Sequence, residues 1–392
     1  MQGGERLTVS IVSCSFDPAD RDADALLDRY PLLTGWADAI AGAGADAVAV
    51  VQRFRRDALV RRRGVEYHFV ADGAAPSPPS WFGGARMADV VRRLRPAVVH
   101  VDGLVFPMVV RCLRRKLPRQ TAIVVQDHGG IHAQSASLRS WRWRALHRLG
   151  LSGADGFLFT ARDQAIPWQR AGIIRSTQTL YEVLEGSADL ASWPRSPAAA
   201  PGLPGRPALL WVGRLDPNKD PLTVLDGFEL AIAEVPDAAL TLVYPEDRLL
   251  AEVKARIARS PALRSRVHLL GRLDRSELPL LYAAADLFVL ASHHEGSSFS
   301  LIEALSLGAT PIVTDIPSFR AITDGGRLGA LFAPGDARAL AAAIGRLGRS
   351  DLAGRRASVR AHFERDLSWS AVSRRAIASY RDASTTRRRS FA

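Results

Sequence analysis

Residues 292–311 read SHHEGSSFSLIEALSLGATP, with Glu295 and Glu303 eight positions apart. A carboxylate accepts hydrogen bonds, so a pair of them in one pocket grips hydroxyl groups. The preceding DLFVLAS reads as a strand and HHEGSS as the loop at its carboxyl end. FSLIEALSLG reads as a short helix closed by Gly308. Unpaired N–H groups at such a helix start, with Gly296, Ser297 and Ser298 beside them, can hold an anion or sugar hydroxyls. Glu303 has a second reading, because Ser300 and Glu303 also fit the S-x-x-E capping box. The plainer reading of Glu295 is a solvated loop carboxylate. His293 and His294 do not form H-E-x-x-H, so no metal is expected.

A second cluster lies upstream in WVGRLDPNKDPLTVLDGF, residues 211–228. A buried strand ends at Gly213, Arg214 follows, a polar turn carries Lys219, and Pro221 begins a helix. Ligands of parallel sheets bind beyond the carboxyl ends of the strands. A fork-shaped guanidinium and a point-charge ammonium at that edge suit a diphosphate; the plainer reading is two surface cations near a turn.

The elements that must position these residues form a repeating pattern. LTVSIVSC (7–14), DAVAVV (46–51), EYHFV (66–70), AVVHV (97–101), TAIVVQ (121–126) and GFLFT (156–160) read as strands, with helical stretches between them. ALLWVG (208–213), ALTLVY (239–244), RVHLLG (266–271), DLFVLAS (286–292) and TPIVT (310–314) repeat the alternation. Strand–helix alternation predicts parallel sheets covered by helices. The expected fold class is α/β, two doubly wound Rossmann-like domains. The first domain spans 1–190, WPRSPAAAPGLPGRP gives a linker over 191–207, and the second spans 208–366. A helix near 367–385 is expected to pack back on the first domain, and TTRRRSFA to be frayed and solvated. AGAGAD (41–46) does not make a dinucleotide fingerprint, because it follows a helix and enters a strand. Gly42 or Gly44 instead ends the helix in a left-handed conformation.

Composition sets the class. The chain has 392 residues, 47% hydrophobic and 23% charged, which is ordinary globular usage. No apolar run approaches the roughly 18 residues needed to span a bilayer. Cys14 and Cys112 make neither a disulfide framework nor a metal cluster, and no leader is read at the start, so a cytoplasmic location is expected. The net charge of +12 fits an anionic partner, although only three of the basic residues are lysines and an arginine bias explains the bulk charge as well. SLRSWRWRALHRLGLSG (137–153) interleaves Arg139, Arg142, Arg144 and Arg148 with Trp141 and Trp143. It reads either as a helix resting on an anionic membrane or as an ordinary helix with its tryptophans in the core.

GRLDPNKDP, HLLGRLDRSELPLLYAAADLFVLAS and HEGSSFSLIEALSLGATPIVTDIPSFRAI together resemble the retaining GT-B glycosyltransferases of the group 4 family, over roughly residues 207–325. The family's E-x7-E signature is matched by Glu295 and Glu303. The resemblance implies two facing domains with the active site in the cleft and a nucleotide-sugar on the second domain. Glu295 would contact the transferred sugar and Glu303 the ribose hydroxyls. Gly213, Arg214 and Lys219 would meet the diphosphate, Gly296 to Leu301 (Gly296, Ser297, Ser298, Phe299, Ser300, Leu301) would line the sugar and phosphate site, and Arg272 and Leu273 would lie near the base. His128, in QDHGG, would be presented to the donor sugar; its plainer role is to cap a helix or tie a loop. His128, Glu295, Arg214 and Lys219 are the catalytic candidates.

The resemblance implies retention, an acceptor that is a sugar, a lipid-linked molecule or a small molecule, and no tightly bound cofactor. No metal is implied, in keeping with the lack of D-x-D in the second half. Departures are concentrated upstream. The glycine pair expected after the first strand is missing from SCSFDPADRDADALLDRYPLLTGW. Asp17, Asp20 or the backbone near Thr34 and Gly35 are the substitutes for its phosphate contact. Glu185, Gly186 and Ser187 replace a proline-asparagine-glycine turn, with Glu185 a candidate to face the site. Tyr244 and Pro245 replace a glycine-rich turn. Alternatives are a nucleotide-sugar epimerase, a phosphorylase, which would need a pyridoxal-binding lysine, or a non-catalytic sugar-binding protein. Nucleic-acid binding has only net charge in its favour.

Overall fold

The computed structural model describes residues 6–16, 22–73, 79, 81–129, 136–187, 190 and 202–391. Asp17, Asp20, Gly130 and the part of the linker from 191 to 201 lie outside the described residues. The chain divides into two compact units, Met1–Leu184 with Trp369–Ala392, and Glu185–Ser368.

The first unit is built on an eight-stranded sheet. Its strands are β1 (Thr8–Ser13), β2 (Ala47–Phe54), β3 (Ala58–Arg62), β4 (Val65–Ala71), β5 (Val98–Asp102), β6 (Ala122–Gln126), β7 (Gly156–Phe159) and β8 (Thr179–Glu182). The spatial order is β3-β4-β2-β1-β5-β6-β7-β8, parallel throughout except for the β3–β4 hairpin. β5, β6 and β7 are almost wholly buried, because helices cover both faces and no strand position is left for water. Val12, Val51, Val101, Val125 and Phe157 form part of that core.

The C-terminal helix, Trp369–Arg389, belongs to this unit. Trp36 Nε1–H donates to the Tyr380 hydroxyl at 3.1 Å, and the same hydroxyl meets His100 Nδ1 at 2.6 Å. The expectation of a frayed tail is corrected here. Helix continues through Arg389, and Arg387 pairs with Asp155 at 3.3 Å and donates to the Arg119 carbonyl at 2.7 Å. Two anchors on the last turn outweigh end fraying. Thr34 and Gly35 also depart from expectation. They lie inside the helix Pro31–Gly42, where the Thr34 N–H donates to the Tyr30 carbonyl. A Cβ on Gly35 would fall 2.6 Å from the Trp369 ring, so this glycine serves close packing. The helix ends at Gly42, followed by Gly44 in the left-handed region at φ +100°.

The second unit carries a six-stranded, fully parallel sheet in the order β11-β10-β9-β12-β13-β14. Its strands are β9 (Ala208–Val212), β10 (Ala239–Val243), β11 (Val267–Gly271), β12 (Leu287–Leu290), β13 (Thr310–Thr314) and β14 (Ala330–Phe332). Strand order reverses between β9 and β12, the neighbours whose carboxyl ends carry the two polar clusters. β3, β8 and β14, which the sequence pattern does not show, are all edge strands.

Candidate functional site

The loops after β9 and β12 are laced together at the reversal point. The Asn218 carbonyl accepts from His293 N–H at 2.8 Å, its Oδ1 accepts from His294 N–H at 3.1 Å, and its Nδ2–H donates to the His294 carbonyl at 3.0 Å. This ladder sets Lys219 Nζ 2.5 Å from Glu295 Oε1, with the two side chains only 13% and 14% exposed. The chain reaches that position because Asp216 accepts from Lys219 N–H at 2.9 Å and Asp220 caps the helix Pro221–Ala231 through Thr223 N–H at 3.1 Å. Asp220 Oδ2 also lies 3.2 Å from His293 Nε2. A Cβ on Gly213 would sit 3.2 Å from the Trp211 ring, a tight contact just past the end of β9.

Arg214 is half-exposed and donates through Nε to Asp216 at 3.0 Å. Arg214 and Lys219 therefore both stand at the β9 edge, each already opposite a carboxylate.

The helix Phe299–Ser306 begins at Ser298, whose Oγ accepts from Leu301 N–H at 3.4 Å and lies 3.3 Å from Ser300 Oγ. The capping box read for Ser300 and Glu303 is thus corrected: the cap is Ser298, and Glu303 lies in the second turn. Glu303 is buried and accepts from Arg275 at 3.0 Å. Burial pushes its pKa above the usual carboxylate value, and Arg275 and then Tyr282 offset part of that rise. Ser297 and Ser298 are buried, and the Ser297 hydroxyl has no partner among the described residues. The helix stops at Gly308, whose φ of +82° and 2.5 Å approach to Arg356 exclude a side chain.

The loop after β11 meets this site through Arg275, while Arg272 is exposed and Leu273 half-buried. Arg275, Asn218 and Tyr282 are the residues that the sequence reading missed. One signal was present: Gly-Arg-Leu-Asp recurs at 213–216 and 271–274, after β9 and after β11. Tyr244 is buried and Pro245 exposed at the end of β10. Glu185 is also buried, and Ser187 bridges to Ser368 within this unit.

In the first unit, His128 follows β6 and its Nε2 contacts the Asp102 carboxylate at the end of β5. Burial opposes ionisation of Asp102, but His128 beside it outweighs that and holds its pKa at about 2. His128 therefore orients on a carboxylate. The basic helix Trp141–Leu151 divides its tryptophans. Trp141 is 68% exposed with Arg142 over its ring, and Trp143 stacks on His147 at 3.5 Å and packs on Trp168. No helix among the described residues is long and apolar enough to cross a membrane, and no group of three His, Cys, Asp or Glu among them is placed to hold a metal ion.

Residues 206–350 match the family model described as Glycosyl transferases group 1. The chain is 28% identical to GDP-mannose:cellobiosyl-diphosphopolyprenol alpha-mannosyltransferase of Xanthomonas campestris, over 64% of this chain and 63% of that protein. It is 30% identical to phosphatidyl-myo-inositol mannosyltransferase of Mycobacterium leprae, over 48% of this chain and 51% of that one. The structure superposes on sucrose-phosphate synthase of Thermosynechococcus elongatus with TM-score 0.71 at 21% identity, covering 97% of this chain and 100% of that one. At that identity the likeness shows the fold alone, which is GT-B. Residues 206–350 thus carry a glycosyl transferases group 1 domain, and the chain spans less than two thirds of the length of the two mannosyltransferases it matches.

Proposed function

We propose that this protein transfers a sugar, with retention and without a metal ion, from a nucleotide-diphosphate sugar to a hydroxyl acceptor. The observation that carries the reading is the 2.5 Å contact of Lys219 with Glu295 at the β9–β12 reversal point, beside the start of the helix Phe299–Ser306. A diphosphate at that edge competes with Glu295 for Lys219 and with Asp216 for Arg214. Glu295, released from its cation, then accepts hydrogen bonds from the sugar hydroxyls, and Glu303 serves the ribose from the second turn.

The difficult step is departure of the nucleoside diphosphate from the anomeric carbon. Negative charge grows on the leaving phosphate, where Arg214, Lys219 and the helix amides are already aimed, so no divalent ion is required. Gly213, Ser297 and Ser298 keep the approach narrow, and Arg272 and Leu273 lie towards the base. By the family resemblance His128 serves the transferred sugar, with Asp102 fixing its ring. Several relatives are named for mannosyl transfer, one of them from GDP-mannose to a diphosphopolyprenol-linked acceptor, which makes GDP-mannose the first donor to try. The exposed Trp141 and its neighbouring arginines suit peripheral contact with an anionic membrane, as a lipid-linked acceptor would need; co-sedimentation indifferent to anionic lipid would remove that part.

The test is a thermal-shift screen of GDP-mannose, UDP-glucose and UDP-galactose, each with and without EDTA. A donor at a hundredfold its Kd adds about 2.7 kcal/mol of stability. Absence of any shift, or a shift abolished by EDTA, contradicts the corresponding part of the proposal.

A further inference from the structure

At the amino edge of the first unit's sheet lies a pocket of about 350 Å³. Leu7 and Ala97, which lead into the neighbouring strands β1 and β5, form one side of it. The C-terminal helix forms another through Arg381, Ser384, Thr385 and Arg388, whose i, i+3, i+4, i+7 spacing puts them on one face. Arg6 completes the charged lining. Asp102 and His128 stand at the opposite end of β5, roughly 16 Å away along the strand.

Three guanidinium groups line this pocket and, among the described residues, no carboxylate does. Asp46, beside Leu7, accepts from its N–H, and Asp382, beside Arg381 in the helix, accepts from the Tyr181 hydroxyl at 2.7 Å. Arg6 and Arg381 are exposed, and their side chains have no ion pair or hydrogen bond among the described residues. Arg62, Arg86, Arg114, Arg256 and Arg327 each meet a carboxylate, so an arginine-rich composition does not by itself explain a cluster without one. A second basic recess on the same edge differs in this respect, because Asp89 pairs with Lys116 at 2.8 Å and with Arg92 at 3.8 Å.

The pocket also holds an unmet donor. Serines in a helix commonly donate to a carbonyl one turn back. On this helix Ser373 donates to the Ser370 carbonyl at 3.2 Å and Ser379 to the Arg375 carbonyl at 3.0 Å. The Ser384 hydroxyl makes no such bond: it is buried and has no partner among the described residues. Buried donors without acceptors are rare and costly, and each one asks for an explanation.

We propose that this pocket binds a phosphate group, carried by a small soluble ester or by a lipid headgroup. Its oxygens accept from the guanidinium groups of Arg6, Arg381 and Arg388 and from the Ser384 hydroxyl, with Thr385 beside them. Guanidinium forks match phosphate oxygens in pairs, and the bonds are strengthened by charge on both partners. A carboxylate, with two oxygens and one charge, leaves part of this donor set unmet. The site lies on the opposite edge of the sheet from His128 and does not depend on the glycosyl-transfer reading.

Inorganic phosphate, and acetate as the control for charge alone, are titrated into the full chain by calorimetry at matched ionic strength. The titration is repeated on Lys219→Met, which removes the ammonium at the β9–β12 reversal point. Phosphate is expected to bind both proteins, more tightly than acetate. Arg381→Gln should weaken phosphate about tenfold, because it removes one charge-assisted donor, while nucleotide-sugar binding stays unchanged. Ser384→Ala should weaken phosphate about threefold and, since it removes a buried hydroxyl that has no partner, should not lower the melting temperature in the absence of phosphate. Sedimentation with phosphatidic acid vesicles but not phosphatidylcholine vesicles, lost in Arg381→Gln, assigns the phosphate to a lipid; phosphate binding without such sedimentation assigns it to a soluble ester. Phosphate binding that survives Arg381→Gln but not Lys219→Met belongs to the other site and overturns the proposal. Equal binding of acetate, a lower melting temperature of Ser384→Ala without phosphate, or binding of neither phosphate nor vesicles overturns it as well.

Discussion

Neutralising Lys219 and Glu295 singly and together separates a catalytic pair from a structural tie. The pair is short, 2.5 Å, and both side chains are mostly shielded, at 13% and 14% exposure. Breaking a fully buried pair by removing one partner costs about 3–5 kcal/mol, and the residual exposure here lowers that to about 1–3 kcal/mol. Lys219→Met and Glu295→Gln should each lower the melting temperature of the second unit, by about 2–4 °C per kcal/mol for a domain of this size. The double variant leaves neither charge unmatched and should regain most of that stability, giving a coupling energy of about 1–2 kcal/mol. Activity should behave differently. Each single change removes a group aimed at developing charge or at the sugar, worth about 3–4 kcal/mol of barrier, or a fall of two to three orders of magnitude in kcat. The double variant restores the fold but not these groups, so it should stay as slow as the singles. Differential scanning fluorimetry and a coupled nucleotide-release assay measure the two effects on the same samples. A double variant that recovers wild-type turnover, or singles that never lose it, would refute a catalytic role for the pair.

Glu303→Gln is expected to weaken donor binding yet stabilise the protein increasingly as pH rises. The raised pKa of Glu303 means that its contribution to stability is greatest below the unfolded pKa and is lost as pH rises through the folded one, whereas glutamine does not titrate. Urea midpoints from pH 5 to 8 check the sign, and calorimetry checks the affinity. His147, held near 4 by burial, should make the fold lose about 3 kcal/mol as pH falls from about 6.5 to about 4, because the unfolded chain takes up that proton first. His147→Phe should flatten this part of the stability–pH curve relative to wild type. Tyr380→Phe removes the hydroxyl shared by Trp36 and His100 and should cost about 1–3 kcal/mol, seen as a lower denaturation midpoint.

Legibility in the sequence followed burial. The central strands β1, β5, β6, β9, β10 and β13 were readable because a strand covered on both faces must be a continuous apolar run. β3, β8 and β14 were not, because an edge strand needs fewer apolar residues; ALVRR alternates half-buried and exposed positions and TLYE is exposed at both ends, patterns that a loop also shows. The tail TTRRRSFA looked like a solvated end, since only the fold brings Asp155 to Arg387.

The sequence by itself determined the strand–helix alternation and the position of Lys219, Glu295 and Glu303 beyond strand ends, because local periodicity and turn chemistry act within about ten residues. It also carried the order of motifs that resembles the group 4 family. Tertiary structure alone decided that Lys219 meets Glu295 across 76 positions of chain, that Arg275 and not Arg272 meets Glu303, and that Asp102 stands behind His128. These pairings depend on which strands become neighbours at the reversal of strand order, a choice made by the burial of whole sheets and not by any segment of the chain.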